Sequence, residues 1–211
     1  MPDRTPEEIW GEGLDEGQRR LERNLPALAA TGFAGGADVM FGILAMAVAS
    51  GSLALVLPGP TAHVVASLVF GLGFAFITIG RAELFTENFL IPVGAVVARR
   101  APARDLLRMW VVTLVLNFAG LAVVGALAAI EHVLPTGSLH SVGIVANTLS
   151  DRSFITSLAS AILGGVVMTM FTWITTAAEG ATARIVAAML IGFLLAAPVL
   201  NHAVVGFGEM F

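Results

Sequence analysis

The chain has 211 residues, 57% of them hydrophobic and only 12% charged, with a mean hydropathy of +0.89. No soluble domain of this size hides that much apolar surface, so the composition predicts an integral membrane protein. Cysteine is absent, which excludes disulfides, thiolate chemistry and cysteine metal sites together, and all eleven basic residues are arginine.

Residues 1–24 form a charged leader carrying Asp3, Arg4, Glu7, Glu8, Glu12, Asp15, Glu16, Arg19, Arg20, Glu22 and Arg23. This is not a secretory signal, since the apolar run behind it is too long for a cleavable segment. A weak stripe of Ile9, Leu14, Leu21 and Leu25 predicts an interfacial helix; a frayed tail as far as residue 15 is the other reading. Residues 25–211 form one transmembrane domain, with no linker long enough to separate a second.

Span one covers residues 25–57 and ends at Pro58-Gly59-Pro60. Residues 62–98 are apolar except at their centre, Gly80-Arg81-Ala82-Glu83-Leu84-Phe85-Thr86-Glu87-Asn88. A straight helix of that length would run about 55 Å against a hydrocarbon core of about 30 Å. The reading is a span two that breaks inside the membrane, because a charged segment there must line a polar path or be buried against protein. Span three is 106–133, a polar connection runs over 135–153, span four is 154–178, and 185–200 opens span five.

Alternating the loops puts Arg4, Arg19, Arg20, Arg23, Arg99, Arg100, Arg104, Arg108 and Arg184 on one side. Only Arg152 falls on the other, with Arg81 inside, so the positive-inside rule predicts a cytoplasmic N-terminus in a multi-pass cell-membrane protein. Span five repeats the anomaly of span two: Pro198 disrupts the helix four residues before His202, and Ala203-Val204-Val205-Gly206-Phe207-Gly208-Glu209-Met210-Phe211 follows. Paired interrupted helices point to inverted repeats with the substrate path between them, which makes His202 a path residue. His63, His132 and His140 receive no role. Arg81, Glu83, Glu87 and Asp38 are the intramembrane charges. The expectation is that Arg81 neutralises Glu83 or Glu87 as a brace, with Asp38 as a further partner of Arg81.

At these two breaks the sequence resembles the formate/nitrite transporter family. The loop ending Ala82-Glu83-Leu84-Phe85-Thr86 is similar to the family's span-two loop, and Leu200 to Phe211 is similar to the stretch around its central histidine. Asn117-Phe118-Ala119-Gly120 fits the family's Asn-x-x-Gly contact, and the leader with Thr86-Glu87-Asn88 looks most like the YfdC-like branch. The resemblance implies an all-α, aquaporin-like bundle with broken spans two and five. It also implies a homopentamer in which each protomer conducts a small monovalent anion such as formate, nitrite or hydrosulfide, with a proton. Carried across, Leu84, Phe85, Leu195 and Met168 form constrictions. Thr86 hydrogen-bonds towards His202, Asn201 lies beside them, and Arg152 stands in a vestibule. The sequence stops at Phe211, so this reading expects a C-terminally shortened chain with no sixth span and one pore wall unbuilt.

A bare carboxylate in an apolar constriction carries a Born cost on the order of tens of kcal/mol, and a neutral acid far less. The expected mechanism is protonation of the anion at or near His202, whose ordinary pKa of about 6.5 suits neutral pH, and passage as the weak acid. No cofactor, metal, nucleic-acid partner or enzymatic activity is expected. The residues admit three other readings. An aquaporin-like neutral-solute channel lacks the Asn-Pro-Ala expected at both breaks, and a Ser50–His202 hydrolase lacks any further catalytic signature. The third is a non-conducting membrane scaffold or fragment.

Overall fold

The computed structural model describes residues 4–211, which form nine α-helices and one 3-10 turn. The leader is helix α1 (Pro6–Leu21). Thr5 caps it by accepting from the Glu8 N–H while the Glu8 carboxylate accepts from Thr5, so both free N–H groups are used. Glu7 and Glu8 in its first turn and Arg19 and Arg20 in its last oppose the helix dipole. Asn24 then caps α2 (Leu25–Leu53) by accepting from the Ala27 N–H, with Pro26 in the first turn, where no N–H is missed.

α3 (Gly59–Gly80) starts behind Pro58 with Pro60 in its first turn and stops at Arg81, whose φ of 52° is left-handed. A 3-10 turn (Phe85–Glu87) and the short α4 (Ile91–Val97) complete this segment. α5 (Ala103–Ala128) returns across the molecule and α6 (Ser138–Ser150) lies beyond its end. α7 (Phe154–Ala177) and α8 (Gly180–Ala196) form an antiparallel pair, and α9 (Ala203–Met210) follows a second interruption. By length and composition α2, α3, α5 and α7 can each cross a membrane, while α8 is shorter.

Packing is centred on α2, which lies against α3, α5, α6 and α9, and α8 lies against α3 and α7. The α2–α5 crossing is close enough to require glycine. A Cβ on Gly36 would sit 2.0 Å from the Asn117 carbonyl oxygen, and one on Gly120 would sit 2.1 Å from that of Phe33. The main core gathers Ile43, Phe70, Phe74, Leu121, Phe171 and Ile191 between these helices. Large apolar side chains also cover the outside, Val111 and Val115 on α5 and Leu158, Ile162 and Val166 on α7 among them. A helix apolar on both its packed and its outer face belongs in lipid.

The predicted spans differ from the helices at their ends. Span one stops at Leu53, span three runs Ala103–Ala128, and span five begins at Gly180. The predicted polar connection contains α6, whose Val145 is buried against the bundle. The leader is helical through residue 15, which removes the frayed tail, and it packs on α4.

Candidate functional site

The first interruption begins where Arg81 turns left-handed. The chain that follows runs extended past α2, with the Glu83 N–H donating to the Thr31 carbonyl at 3.0 Å. Asn117 on α5 holds it there: its Nδ2 donates to the carbonyls of Gly32 (2.7 Å) and Glu83 (2.9 Å), and its Oδ1 accepts from the Phe85 N–H (2.8 Å). One fully buried side chain thus satisfies two loop backbone groups that no helix serves, the Glu83 carbonyl and the Phe85 N–H, and ties them to the Gly32 carbonyl of α2. Trp110 Nε1 donates to the Asn88 carbonyl, and Thr172 on α7 donates to that of Glu87 at 3.4 Å.

The two carboxylates of this loop are buried, and their partners come from the leader. Arg23 meets Glu83 at 2.7 Å, and Arg20 lies 3.7 Å from Glu83 and 3.6 Å from Glu87. Asn88 Nδ2 donates to Glu83 at 3.1 Å. Burial alone would weaken the charge on Arg20, yet Glu83, Glu87 and Glu16 around it hold it above its ordinary range. The expected bracing by Arg81 is therefore corrected. Arg81 makes no ion pair among the described residues, nor does Asp38, which is half-buried in α2. The left-handed turn leaves Arg81 exposed at the mouth of a cavity of about 480 Å³, between the leader and the loop.

At the second interruption Val199 is left-handed, with φ of 53°. Asn201 is held by α7: its N–H donates to Ser160 Oγ (2.9 Å) and its Nδ2 to the Ser157 carbonyl (3.3 Å). The approach is tight, since a Cβ on Gly164 would lie 2.4 Å from the Asn201 carbonyl oxygen. Arg152, expected in a vestibule, is half-buried and donates to Asn201 Oδ1 at 2.5 Å and Ser160 Oγ at 3.2 Å. His63, given no role, bonds the Ala197 carbonyl freed by the break at 3.2 Å.

His202 caps α9. Its Nδ1 accepts from the Val205 N–H at 3.1 Å. A backbone N–H only donates, so Nδ1 carries no proton and the neutral ring carries it on Nε2. That Nε2 is buried and has no hydrogen-bond partner in the protein. Thr86 Oγ1 is in the same condition, so the expected Thr86–His202 hydrogen bond is not formed, although the turn carrying Thr86 packs directly on α9. Leu84, Met168 and Leu195 are buried in one continuous apolar cluster, with Phe85 and Leu200 packed against it. Two unpartnered polar atoms beside this apolar cluster offer hydrogen bonds to a small polar solute in otherwise apolar packing.

The sequence profile described as formate/nitrite transporter matches residues 7–211. The chain belongs to the formate/nitrite transporter family. Relatives include the uncharacterized transporter YrhG of Bacillus subtilis, 27% identical over 88% of this chain and 70% of its own length. The formate channel BtFdhC of Bacillus thuringiensis is 29% identical over 54% of this chain and 44% of its own length. The inner membrane protein YfdC of Escherichia coli is 28% identical over 92% and 62%. Two solved structures share the fold at 18% identity. A pentameric formate channel with formate bound has a TM-score of 0.74 over 87% of this chain and 72% of that one, and an ion channel of the same family reaches 0.80 over 95% and 80%.

Within this family fold, several side chains at the site escaped sequence reading. Phe70 and Phe74, four residues apart on α3, form with Phe171 a chain of edge-to-face rings at 5.6 and 5.1 Å beside Leu84. Their spacing on one helix face was the available signal. Ser160, Arg20 and Arg23 gave none, because their partners lie far away in sequence.

Proposed function

We propose that the protein is a membrane channel for small monovalent weak-acid anions of the formate, nitrite and hydrosulfide class. It works as a homopentamer in the inner membrane, with the leader in the cytoplasm. The observation that carries this reading is His202, a buried ring whose Nε2 N–H has no protein group to receive it. An anion at that point accepts the hydrogen bond, and the apolar walls formed by Leu84, Phe85, Met168 and Leu195 favour its neutral form on either side.

Passing a proton on to the anion has a defined requirement. The neutral ring must first take a proton at Nδ1, which means giving up the bond that caps α9. Losing such a cap costs about 1 kcal/mol. The Born penalty avoided by neutralising the anion is on the order of tens of kcal/mol. Burial also disfavours the charged ring, so the proton is taken up as the anion arrives and its charge offsets that penalty, and flux should rise as the outside becomes more acidic.

The test uses the full-length protein in proteoliposomes with formate, nitrite and hydrosulfide as solutes. H202N keeps a side chain able to cap α9 while removing the Nε2–H. Flux and its pH response should both fall, by about a hundredfold in rate if the proton step limits. Unchanged uptake and pH response in H202N would rule out the relay, and a parent protein that moves none of the three anions would leave a scaffold.

A further inference from the structure

The relay leaves one problem on the leader side: an acid that crosses neutral must surrender its proton there, and His202 lies at the other break. We infer that Glu87 is the proton acceptor at the leader-side mouth of the passage. This rests on the weak-acid reading above.

Glu87 is the loop carboxylate with spare capacity. Glu83 is engaged by Arg23 at 2.7 Å and by Asn88 at 3.1 Å. Glu87 has only Arg20, at 3.6 Å, and shares it with Glu83. Its Oε1 is buried with no hydrogen-bond partner, the residue is 6% exposed, and it lines the leader-side cavity. A carboxylate so placed has an open lone pair to receive a proton. It also directly follows Thr86 in the loop that carries Leu84 and Phe85, and unlike them it lines the leader-side cavity.

The step balances without a further reactant. The weak acid HA gives its proton to the Glu87 carboxylate and leaves as A⁻, and the Glu87 carboxyl then loses that proton to water in the cavity. The other charged groups lining the same cavity are Glu12, Asp15, Glu16, Arg19, Arg20 and Arg23 from α1 and the turn after it, Arg81 and Glu83 from the loop, and Arg184 from α8; α7 contributes Phe171 and three threonine hydroxyls there. Arg81 and Arg184 make no ion pair among the described residues, so they remain to attract the anion once it has formed. In its ionised form Glu87 also repels an anion approaching from the leader side, which couples exit and entry to the proton.

The full-length protein is reconstituted in vesicles of established orientation, and radiolabelled formate uptake is followed while pH is varied on the leader side alone. E87Q should slow uptake by about tenfold and lose the dependence on leader-side pH, whereas E87D should stay within about threefold of the parent and keep it. A group that merely braced the loop would change the rate in E87Q and leave the pH profile intact, so a retained profile overturns the inference. If E87Q fails to assemble, infrared difference spectra of the parent and E87D decide. Acidifying the leader side must raise a protonated-carboxyl band that moves in E87D, and a band that does not move overturns the assignment. A parent without formate flux overturns this inference together with the weak-acid reading.

Discussion

At the scale of single residues, the loop between α3 and α4 is held by side chains whose work is to replace missing secondary structure. Asn117 shows the arithmetic. With Ala at this position, the carbonyl of Glu83 and the N–H of Phe85 would lose their partners in a buried setting, while the Gly32 carbonyl would keep its bond within α2. Each orphaned group costs about 1–3 kcal/mol. N117A should therefore lower stability by about 2 kcal/mol or more, read as an earlier unfolding transition in a detergent–denaturant titration. A shift under about 1 kcal/mol would mean that water enters and substitutes. The sequence exposed Asn117 as a helix-contact residue, but not that it bonds the loop, because both of its partner carbonyls belong to distant elements. The charges were misassigned for a related reason. Arg81 is nearest to Glu83 and Glu87 along the chain, yet its left-handed backbone turns it into the cavity, and Arg20 and Arg23 take the carboxylates instead.

At the scale of elements, α1 is part of the site rather than a tether. Its Gly13 and Gly17 face lies on α4, and a Cβ on Gly17 would sit 2.3 Å from the Ile91 carbonyl oxygen. Leu21 continues the contact into a small core with Leu28, Ala95, Leu106 and Met109. Because backbone cannot yield as a flexible side chain can, G17V must lift the helix. Overpacking of this kind costs roughly 1–3 kcal/mol, so tryptic cleavage after Arg19 or Arg20 should quicken by about tenfold. An unchanged cleavage rate would show that α1 is not seated on α4 in solution. The same displacement would draw Arg20 away from Glu87, linking leader docking to the loop. The apolar runs located the long helices because lipid demands unbroken hydrophobic length. They did not locate α6, since Ser138–Ser150 is rich in Ser, Asn and Thr and buries only a narrow stripe.

At the scale of the whole molecule, the arginines are sorted to one end by contacts as well as by sequence pattern. Arg100 pairs with Asp15 of α1, Arg108 donates to the carbonyls of Leu21 and Arg23, and Arg4 reaches those of Thr176 and Ala177 at the end of α7. Three connections that carry most of the positive charge thus share one face, while Arg152 is engaged near the opposite end of α7. Basic loops resist translocation, which is the ground for proposing that this face lies in the cytoplasm. The absence of cysteine makes the expectation simple to check, because a single introduced thiol gives a label without background. Glu7 is exposed on α1 and Glu131 is exposed beyond α5, so neither replacement disturbs a packed contact. In intact cells E131C should react with a membrane-impermeant maleimide, and E7C should react only after permeabilisation. The reverse pattern would invert the protein in the membrane and move the Glu87 mouth to the outside, where a proton acceptor would serve export of the acid instead of uptake.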